Sequence, residues 1–249
     1  MRTILVVLFL LIYAIISIPL YLIEFIIGKI SPRAKVRSSQ FLVVCAFKVI
    51  LFLSGTKVTV LGVENVPKEA VLFVANHRSY FDIVVTYATT PHLTGFVAKK
   101  EMRHIPCFSH WMRHLNCLFL DREDIRAGLK TILEGIENIK NGYSMFIAPE
   151  GTRNLEKEML PFKEGSFKLA QKSGCPIVPI ALTNTDSVYE QHSPWIRRSK
   201  VIIHYGEPIQ MKDLSKEEQK RIGSHVQEII RQMLQEDEKL LASKKSNFK

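Results

Sequence analysis

The sequence predicts an α/β fold with a central, largely buried sheet flanked by helices, preceded by an N-terminal segment of membrane-anchoring helices. After Gly55, short β-branched or apolar runs alternate with segments whose apolar residues recur at helical spacing. Such alternation is typical of α/β domains, whose sheets are covered on both faces. Before Gly55, residues 3–23 carry no charged side chain. We therefore expect an anchor over residues 1–54, a folded domain over 55–241 and a polar tail over 242–249.

The first element is expected to be a helix in the membrane. Because a helix rises about 1.5 Å per residue, the uncharged run is long enough to nearly cross a bilayer core. Pro19 and Glu24 lie near its far end, so a tilted or partly embedded helix fits the sequence equally well. No small-x-small cleavage site follows the run, which favours a retained anchor over a cleaved signal.

Basic residues follow this run closely: Lys29, Arg33, Lys35 and Arg37. Basic side chains beside an apolar segment favour the cytoplasmic side of a membrane and contact with anionic headgroups. We therefore expect membrane localisation with the folded domain facing the cytoplasm, and anionic membrane lipid as a partner.

A second apolar stretch covers residues 41–53 and is interrupted only by Lys48. This stretch is short for a membrane span, and the long Lys48 side chain could reach an interface. We expect an interfacial helix here, while a buried core helix remains open.

The folded domain is expected to contain seven strands and at least two long helices. The strand candidates are residues 57–61, 70–75, 95–98, 117–120, 144–148, 177–182 and 201–205. One helical stripe comprises Leu129, Ile132, Leu133, Ile136 and Ile139, and Gly142 is placed to end it. The other comprises Ile222, Val226, Ile229, Ile230 and Met233, and Ser215 with Glu218 resembles its capping box.

Composition excludes several classes of protein. The net charge of +10 attracts nucleic acid and anionic lipid alike, but the basic residues are dispersed and match no nucleic-acid-binding motif. We expect no nucleic acid partner.

His110 and His114 share a helical spacing but have no glutamate base between them, so we expect no metal. The cysteines form no Cys-x-x-Cys pair and favour buried thiols in a reducing compartment: Cys45, Cys107, Cys117 and Cys175.

The first candidate cluster for chemistry is Asn-His-Arg-Ser-Tyr-Phe-Asp at residues 76–82. It follows a buried strand, and α/β proteins build sites at strand ends. A neutral histidine accepts a proton near neutral pH, and a carboxylate on its other nitrogen fixes the tautomer. If His77 and Asp82 interact, His77 must lie in the strand-to-helix turn and Asp82 near the helix start. The pair favours a general base, while a structural histidine beside an ordinary helix-start acid remains open.

The second candidate cluster is Pro-Glu-Gly-Thr-Arg-Asn at residues 149–154. Gly151 permits a tight turn and close approach of the backbone to a ligand. The planar fork of Arg153 suits phosphate oxygens, and Thr152 adds a hydroxyl donor. Glu150 is expected to orient Arg153 or a backbone turn. The alternative is an exposed loop with a weak surface ion pair.

The order and spacing of these clusters resemble the glycerolipid acyltransferase family, in particular its 1-acyl-glycerol-3-phosphate acyltransferases. That family carries His-x₄-Asp, matched by His77 and Asp82, and Glu-Gly-Thr-Arg, matched by residues 150–153. Further matching blocks are Lys99, Lys100 and Glu101, then Phe119 and Arg122, then Val178, Pro179 and Ile180. The resemblance covers residues 55–210, and it departs from the family pattern at Asn116 and Asn154, where glycine and serine are common.

The resemblance implies a glycerolipid acyltransferase-like domain that transfers an acyl group without a covalent enzyme intermediate. His77 would deprotonate the 2-hydroxyl of lysophosphatidic acid, which then attacks an acyl thioester to give phosphatidic acid, and Asp82 would orient His77. The donor would be acyl-CoA or acyl carrier protein as a co-substrate, with no cofactor. The implied substrate-binding residues are Lys100, Arg122, Glu150, Gly151, Thr152 and Arg153.

Two alternatives remain open. The same type of enzyme could act on glycerol-3-phosphate or on another lysophospholipid. A non-catalytic membrane lipid-binding protein would keep the anchor and Arg153 but would not need His77.

Overall fold

The computed structural model describes residues 1–156 and 158–246. The strands are β1 (Lys57–Leu61), β2 (Leu72–Ala75), β3 (Thr94–Lys99), β4 (Leu118–Leu120), β5 (Ser144–Ile147), β6 (Ile177–Thr183) and β7 (Lys200–Tyr205). The helices are α1 (Arg2–Ile30), α2 (Pro32–Ser54), α3 (Phe81–Thr89), α4 (Phe108–His114), α5 (Ile125–Lys140), α6 (Lys168–Ser173), α7 (Lys216–Lys220) and α8 (Ile222–Ser246). The predicted α/β class is confirmed, and a strand occupies each predicted position.

The strands form one mixed sheet in the order β1-β7-β6-β2-β5-β3-β4. Only β6 and β7 pair antiparallel, and the other neighbours pair parallel. The five strands from β6 to β4 therefore run in one direction. Their carboxyl ends meet at one edge of the sheet, which is where open α/β sheets place their sites.

Two hydrophobic cores cover the two faces of this sheet. Phe73 and Ala75 of β2 belong to the core under α2, α3 and α4. Leu72 and Val74 belong to the core under α5, α6 and α8. Successive side chains of a strand point to opposite faces, so a central strand covered on both sides must be apolar at every position. That requirement explains why the strands could be read from continuous apolar runs.

The helix α5 follows the predicted stripe only in part. Asp124 caps its start by accepting hydrogen bonds from two backbone N–H groups, and Gly142 follows its end with φ of +82°. Ile136 and Ile139 are buried, but Leu129 and Leu133 are 56% and 57% exposed. Leu129 and Leu133 therefore do not face the core, whereas Ile132 of the same stripe packs against it.

The predicted capping box is present but belongs to a different helix. Ser215 and Glu218 exchange both hydrogen bonds of the box at the start of α7, not of the long α8. The chain interrupts the helix at Arg221, and α8 starts at Ile222. Residues 242–246 of the predicted polar tail continue α8, and residues 247–249 lie outside the described residues.

Both N-terminal helices are long and apolar enough to cross a membrane. Polar contacts fix α1 to the domain, since the hydroxyl of Ser17 accepts from the Trp111 indole at 2.9 Å and the hydroxyl of Tyr21 donates to the Cys107 carbonyl at 2.9 Å. The opposite face of α1 is an exposed apolar surface, on which Ile15 and Ile18 are each 68% exposed. This surface fits membrane association.

The helix α2 has features of both predictions for the second apolar stretch, the interfacial helix and the buried core helix. Ser31 caps its start, and Gly55 ends it in the left-handed conformation with φ of +72°. Val43 and Ile50 are buried in the core, whereas Phe52 is 82% exposed. One face of α2 is thus a core element and the other continues the exposed apolar surface of α1.

Candidate active site

The turn between β2 and α3 brings His77 and Asp82 together. The strand ends at Ala75, the helix starts at Phe81, and Asp82 lies in the first helical turn. Nδ1 of His77 is 2.9 Å from Oδ2 of Asp82. The predicted arrangement of the two side chains is therefore the one the structure contains.

Hydrogen-bond donors surround the carboxylate of Asp82, which is fully buried. Its Oδ2 also accepts the backbone N–H groups of Arg78 and Ser79, each at 2.8 Å. Its Oδ1 accepts the hydroxyl of Thr185 at 2.6 Å. Because the carboxylate acts as acceptor toward His77, the proton of the neutral imidazole lies on Nδ1. Nε2 is then the nitrogen that can take up a proton.

Side chains on both sides fix the backbone around His77. The buried side chain of Asn76 bonds both the N–H and the carbonyl of Leu182 in β6, at 2.8 and 3.0 Å. The backbone N–H of His77 donates to Oε1 of Glu150 at 2.8 Å, and its carbonyl accepts the backbone N–H of Asn154 at 2.8 Å. The second sequence cluster therefore holds the first in place.

Glu150 supports a backbone turn and does not orient Arg153. Its side chain is 3% exposed, and its second oxygen accepts the backbone N–H of Leu160 at 2.9 Å. Burial raises the pKa of this carboxyl above its ordinary value, although the hydrogen bonds from Leu160 and His77 oppose the shift. Of the two predicted roles for Glu150, the structure contains the second.

A different acid, Glu190, pairs with Arg153. Nη1 of Arg153 is 3.1 Å from Oε1 of Glu190, and the guanidinium lies 3.7 Å from the ring centre of Tyr80. Glu190 also accepts the hydroxyl of Ser79 at 2.6 Å and the backbone N–H of Tyr80 at 2.8 Å. Arg153 is thereby held against the loop that carries His77, and it is 32% exposed.

Arg122 and Gly151 meet at the same edge of the sheet. Arg122 follows β4 and donates from Nη1 to the carbonyl of Gly151. Gly151 adopts φ of +81°, a conformation that side-chain-bearing residues rarely reach, so this turn requires glycine. Thr152 is exposed next to it.

Lys100 takes part in a separate ion-pair network. Its Nζ is 3.1 Å from Asp121 and 2.7 Å from Glu123. The hydrogen bonds with Glu123, and then with Asp121, raise the pKa of this ammonium above its ordinary value. No contact among the described residues joins the Lys100 side chain to Arg122, Gly151 or Arg153.

Sequence reasoning missed three residues that position the site: Asn76, Thr185 and Glu190. Thr185 and Glu190 come from short 3₁₀ helices after β6, more than 100 positions away from their partners in the His77 loop. Nothing local distinguishes them from surface residues. Asn76 did offer a signal, since it is a polar side chain at the end of a buried strand directly before His77.

The two departures from the family pattern fit the local backbone. Asn116 adopts φ of +56°, a left-handed conformation that glycine favours and that asparagine tolerates better than most residues. Asn154 bonds the carbonyl of His77 through its backbone N–H, and its buried side-chain oxygen accepts the backbone N–H of Glu156 at 3.0 Å. Within residues 1–156 and 158–246, no group of three or more His, Cys, Asp or Glu side chains could hold a metal ion.

The fold and the site together define an acyltransferase of the α/β class with an N-terminal pair of apolar helices. A family model described as Acyltransferase matches residues 57–183, which contain both clusters. The chain belongs to this family, and the resemblance drawn from the motifs is confirmed.

Named relatives share much of the chain. It is 33% identical over 193 residues to the 1-acyl-sn-glycerol-3-phosphate acyltransferase of Saccharomyces cerevisiae, covering 76% of this chain and 63% of that protein. It is 30% identical over 195 residues to the enzyme of the same name from Borreliella burgdorferi, covering 78% of each. The crystal structure of the 1-acyl-sn-glycerophosphate acyltransferase of Thermotoga maritima matches with a TM-score of 0.78 and 27% identity over 95% of both chains.

Proposed function

We propose that this enzyme transfers a fatty acyl group from an acyl thioester to the 2-hydroxyl of 1-acyl-glycerol-3-phosphate, forming phosphatidic acid for phospholipid biosynthesis. The observation that carries the proposal is the pair of His77 and buried Asp82 beside Arg122 and Arg153 at one edge of the sheet. It is supported by the names of the relatives from yeast and Borreliella.

In the proposed reaction, Nε2 of His77 removes the proton from the 2-hydroxyl. The oxygen attacks the thioester carbonyl, and the tetrahedral intermediate collapses by breaking the carbon–sulfur bond. A thiol has a pKa of about 8.5, so the thiolate leaves readily and then takes the proton from His77. Asp82 stabilises the imidazolium that exists between these steps. General-base assistance of this kind contributes on the order of 10²–10⁴ to a rate.

The acceptor phosphate is proposed to bind the basic side chains beside this pair. The planar guanidinium of Arg153 is held in position by Glu190 and Tyr80, which preserves donors for a phosphate. Lys100 is less available for phosphate binding, because a phosphate would have to displace Asp121 and Glu123 from its ammonium.

The acyl donor is proposed to be acyl-CoA or acyl carrier protein. Both are anionic, and the net charge of +10 favours the encounter with either. We propose that the catalytic domain faces the cytoplasm, where both donors occur. The basic residues at the end of α1 and the start of α2 would there contact anionic headgroups.

Turnover by the purified protein in detergent tests this proposal. The protein is mixed with acyl-CoA or acyl carrier protein and with each candidate acceptor: lysophosphatidic acid, glycerol-3-phosphate and lysophosphatidylcholine. We expect phosphatidic acid from the first, detected by mass spectrometry. Preferential acylation of either other acceptor would replace the proposed substrate, and no turnover with any would favour the non-catalytic alternative.

Two variants assign the roles of the side chains. His77→Ala is expected to abolish turnover while leaving membrane binding unchanged. Arg153→Ala is expected to raise the KM for lysophosphatidic acid and to leave the KM for the thioester near its wild-type value. Arg126→Ala removes an exposed guanidinium outside both motifs, at the start of α5, and serves as the matched control.

A further inference from the structure

A basic side chain that the motifs do not include lies over the glycine of the second cluster. The position that a Cβ of residue 151 would occupy is 2.8 Å from Nζ of Lys163 and 3.2 Å from Nη1 of Arg122. With φ of +81°, residue 151 is glycine for conformational reasons as well. The missing side chain therefore allows both cationic groups to approach the backbone of residue 151 closely.

Neither cation forms a direct ion pair of the kind that neighbouring basic residues form, although the carboxylate of Glu101 attracts the guanidinium of Arg122 at longer range. Arg78 pairs with Asp186, and Arg153 pairs with Glu190. Among the described residues, Lys163 has no ion pair, and Arg122 bonds a neutral carbonyl. Two cations held close together repel each other unless an anion lies between them. The arrangement thus favours an anionic ligand over Gly151.

The backbone fixes the place of Lys163 although its side chain is exposed. Its N–H donates to the carbonyl of Pro149 at 3.1 Å, which joins the segment after the motif to the start of the motif. The preceding Phe162 is buried in the core beneath the sheet. Lys163 is therefore positioned by the fold and differs from a lysine on a free surface loop.

The two cations lie beside residues 76–80, the turn that carries His77, and this location indicates which substrate supplies the anion. Glu150 directly precedes Gly151 and holds the backbone N–H of His77 at 2.8 Å. In lysophosphatidic acid, one methylene group and one ester oxygen separate the phosphorus from the carbon that bears the attacking hydroxyl. In acyl-CoA, the whole pantetheine arm separates the phosphates from the thioester. A phosphate bound this close to the base belongs with the acceptor.

We propose that Lys163 and Arg122 together bind the phosphate of the acceptor over Gly151, and that Lys163 is a specificity-determining residue for a phosphate-bearing lysolipid. This inference rests on the proposed function and adds a residue that lies outside both motifs. The ammonium of Lys163 supplies charge-assisted hydrogen bonds to the phosphate oxygens, and the bond from Arg122 to Gly151 keeps the guanidinium beside it.

Comparison of acceptors with and without a phosphate tests the inference. Wild type, Lys163→Ala and Lys163→Arg are assayed with 1-oleoyl-lysophosphatidic acid and with 1-oleoylglycerol, at varied acyl-CoA. Lys163→Ala is expected to lower kcat/KM for lysophosphatidic acid on the order of ten- to a hundredfold, the loss typical of a hydrogen bond to a charged group. Its kcat/KM for 1-oleoylglycerol and its KM for acyl-CoA are expected to stay at wild-type values, and Lys163→Arg is expected to restore most of the loss.

Lys172→Ala is the matched control, because it removes an exposed lysine charge on the neighbouring helix α6. If Lys163→Ala behaves like Lys172→Ala while wild type acylates lysophosphatidic acid, the inference fails and the proposed function stands. A rise in the KM for acyl-CoA alone would assign the site to the donor and overturn the inference. Absence of lysophosphatidic acid turnover in wild type would overturn the proposed function and this inference with it.

Discussion

The carboxylate of Glu150 accepts a hydrogen bond from the backbone N–H of His77 at 2.8 Å. The two residues lie 73 positions apart, and each belongs to one of the two sequence clusters. The backbone N–H of Asn154 bonds the carbonyl of His77 at the same distance. The Glu-Gly-Thr-Arg cluster therefore has a structural task beside any contact with substrate, which is to hold the loop that presents the base.

Replacing Asp82 by asparagine tests the orientation of His77. The amide keeps the size of the side chain but has only one oxygen. In Asp82, one oxygen accepts from His77, Arg78 and Ser79, and the other accepts from Thr185. The asparagine variant therefore loses one of these two sets of hydrogen bonds. We expect kcat to fall roughly 10³–10⁴-fold, the size of loss seen when a catalytic histidine is left in the wrong tautomer. Steady-state kinetics with a saturating acceptor measures this change.

Thr185→Val provides the graded comparison for Asp82→Asn. It removes only the hydroxyl that bonds Oδ1 and leaves the oxygen facing His77 in place. We expect unfolding to become easier by about 1–3 kcal/mol, with a smaller loss of kcat than for Asp82→Asn. Equal losses of kcat in both variants would show that Asp82 acts through the folding of the loop and not through the tautomer of His77.

Glu150→Gln separates support of the loop from binding of the substrate. A glutamine side chain offers one acceptor and one donor, so its amide N–H₂ must face a backbone N–H, either that of His77 or that of Leu160. A buried donor without a partner costs about 1–3 kcal/mol. We expect lower thermal stability and lower kcat, with the KM for the acceptor nearly unchanged.

Glu134→Gln is the control for this variant, because Glu134 is exposed on α5 and makes none of these contacts. The two proteins would be compared by melting temperature and by steady-state kinetics. A large rise in acceptor KM for Glu150→Gln at unchanged kcat would mean that Glu150 contributes to binding and not to placement of the base.

The exposed apolar face of α1 carries the prediction about the membrane. Ile15 and Ile18 are each 68% exposed, so replacing both with aspartate breaks few contacts within the protein. Each aliphatic side chain that enters an apolar phase contributes about 1.5–3 kcal/mol, and a carboxylate there is costly. We expect the fraction bound to phosphatidylserine-containing vesicles to fall at least about tenfold. Flotation of the Ile15→Leu, Ile18→Leu double variant gives the reference, and undiminished binding of the aspartate variant would place the membrane contact elsewhere.

How much of the protein the sequence predicts depends on the range of the interactions. The strands could be predicted because burial on both faces demands apolar residues at every position, as in Phe73 and Val74. The pairing of His77 with Asp82 was accessible because both lie in one short turn. The pairing of Arg153 with Glu190 was not, because the partner arrives from a distant segment and only the sheet order brings it near. Leu129 was wrongly predicted to be buried. Apolar residues at helical spacing indicate which face of a helix could pack, but not whether another element covers that face, and Leu129 is exposed.

A second histidine–carboxylate pair joins β7 to α8 and gives the folded state a pH dependence. Nδ1 of His204 in β7 is 3.1 Å from Oδ1 of Asp237 in α8, and the hydroxyl of Thr183 donates to the other oxygen at 2.9 Å. The hydrogen bond with Asp237 is the largest cause that raises the pKa of His204, and the charges of Asp237, Glu236 and Glu64 add to it while burial opposes it.

The direction of the pH effect follows from this raised pKa. An unfolded histidine has a pKa of about 6.5, so the extra stability from His204 is fully present below that pH and is lost as the pH rises through the higher folded value. His204→Gln keeps a neutral hydrogen-bonding side chain and removes the titration. We expect wild type to have a higher melting temperature than His204→Gln at pH 6, and the difference in melting temperature to shrink by pH 9. Each 1 kcal/mol of stability corresponds to about 2–4 °C in a protein of this size. His225→Gln, at an exposed position of the same helix, is the matched control. A difference between wild type and His204→Gln that stays constant from pH 6 to pH 9 would contradict the link, because the ion pair that joins α8 to the sheet exists only while His204 is protonated.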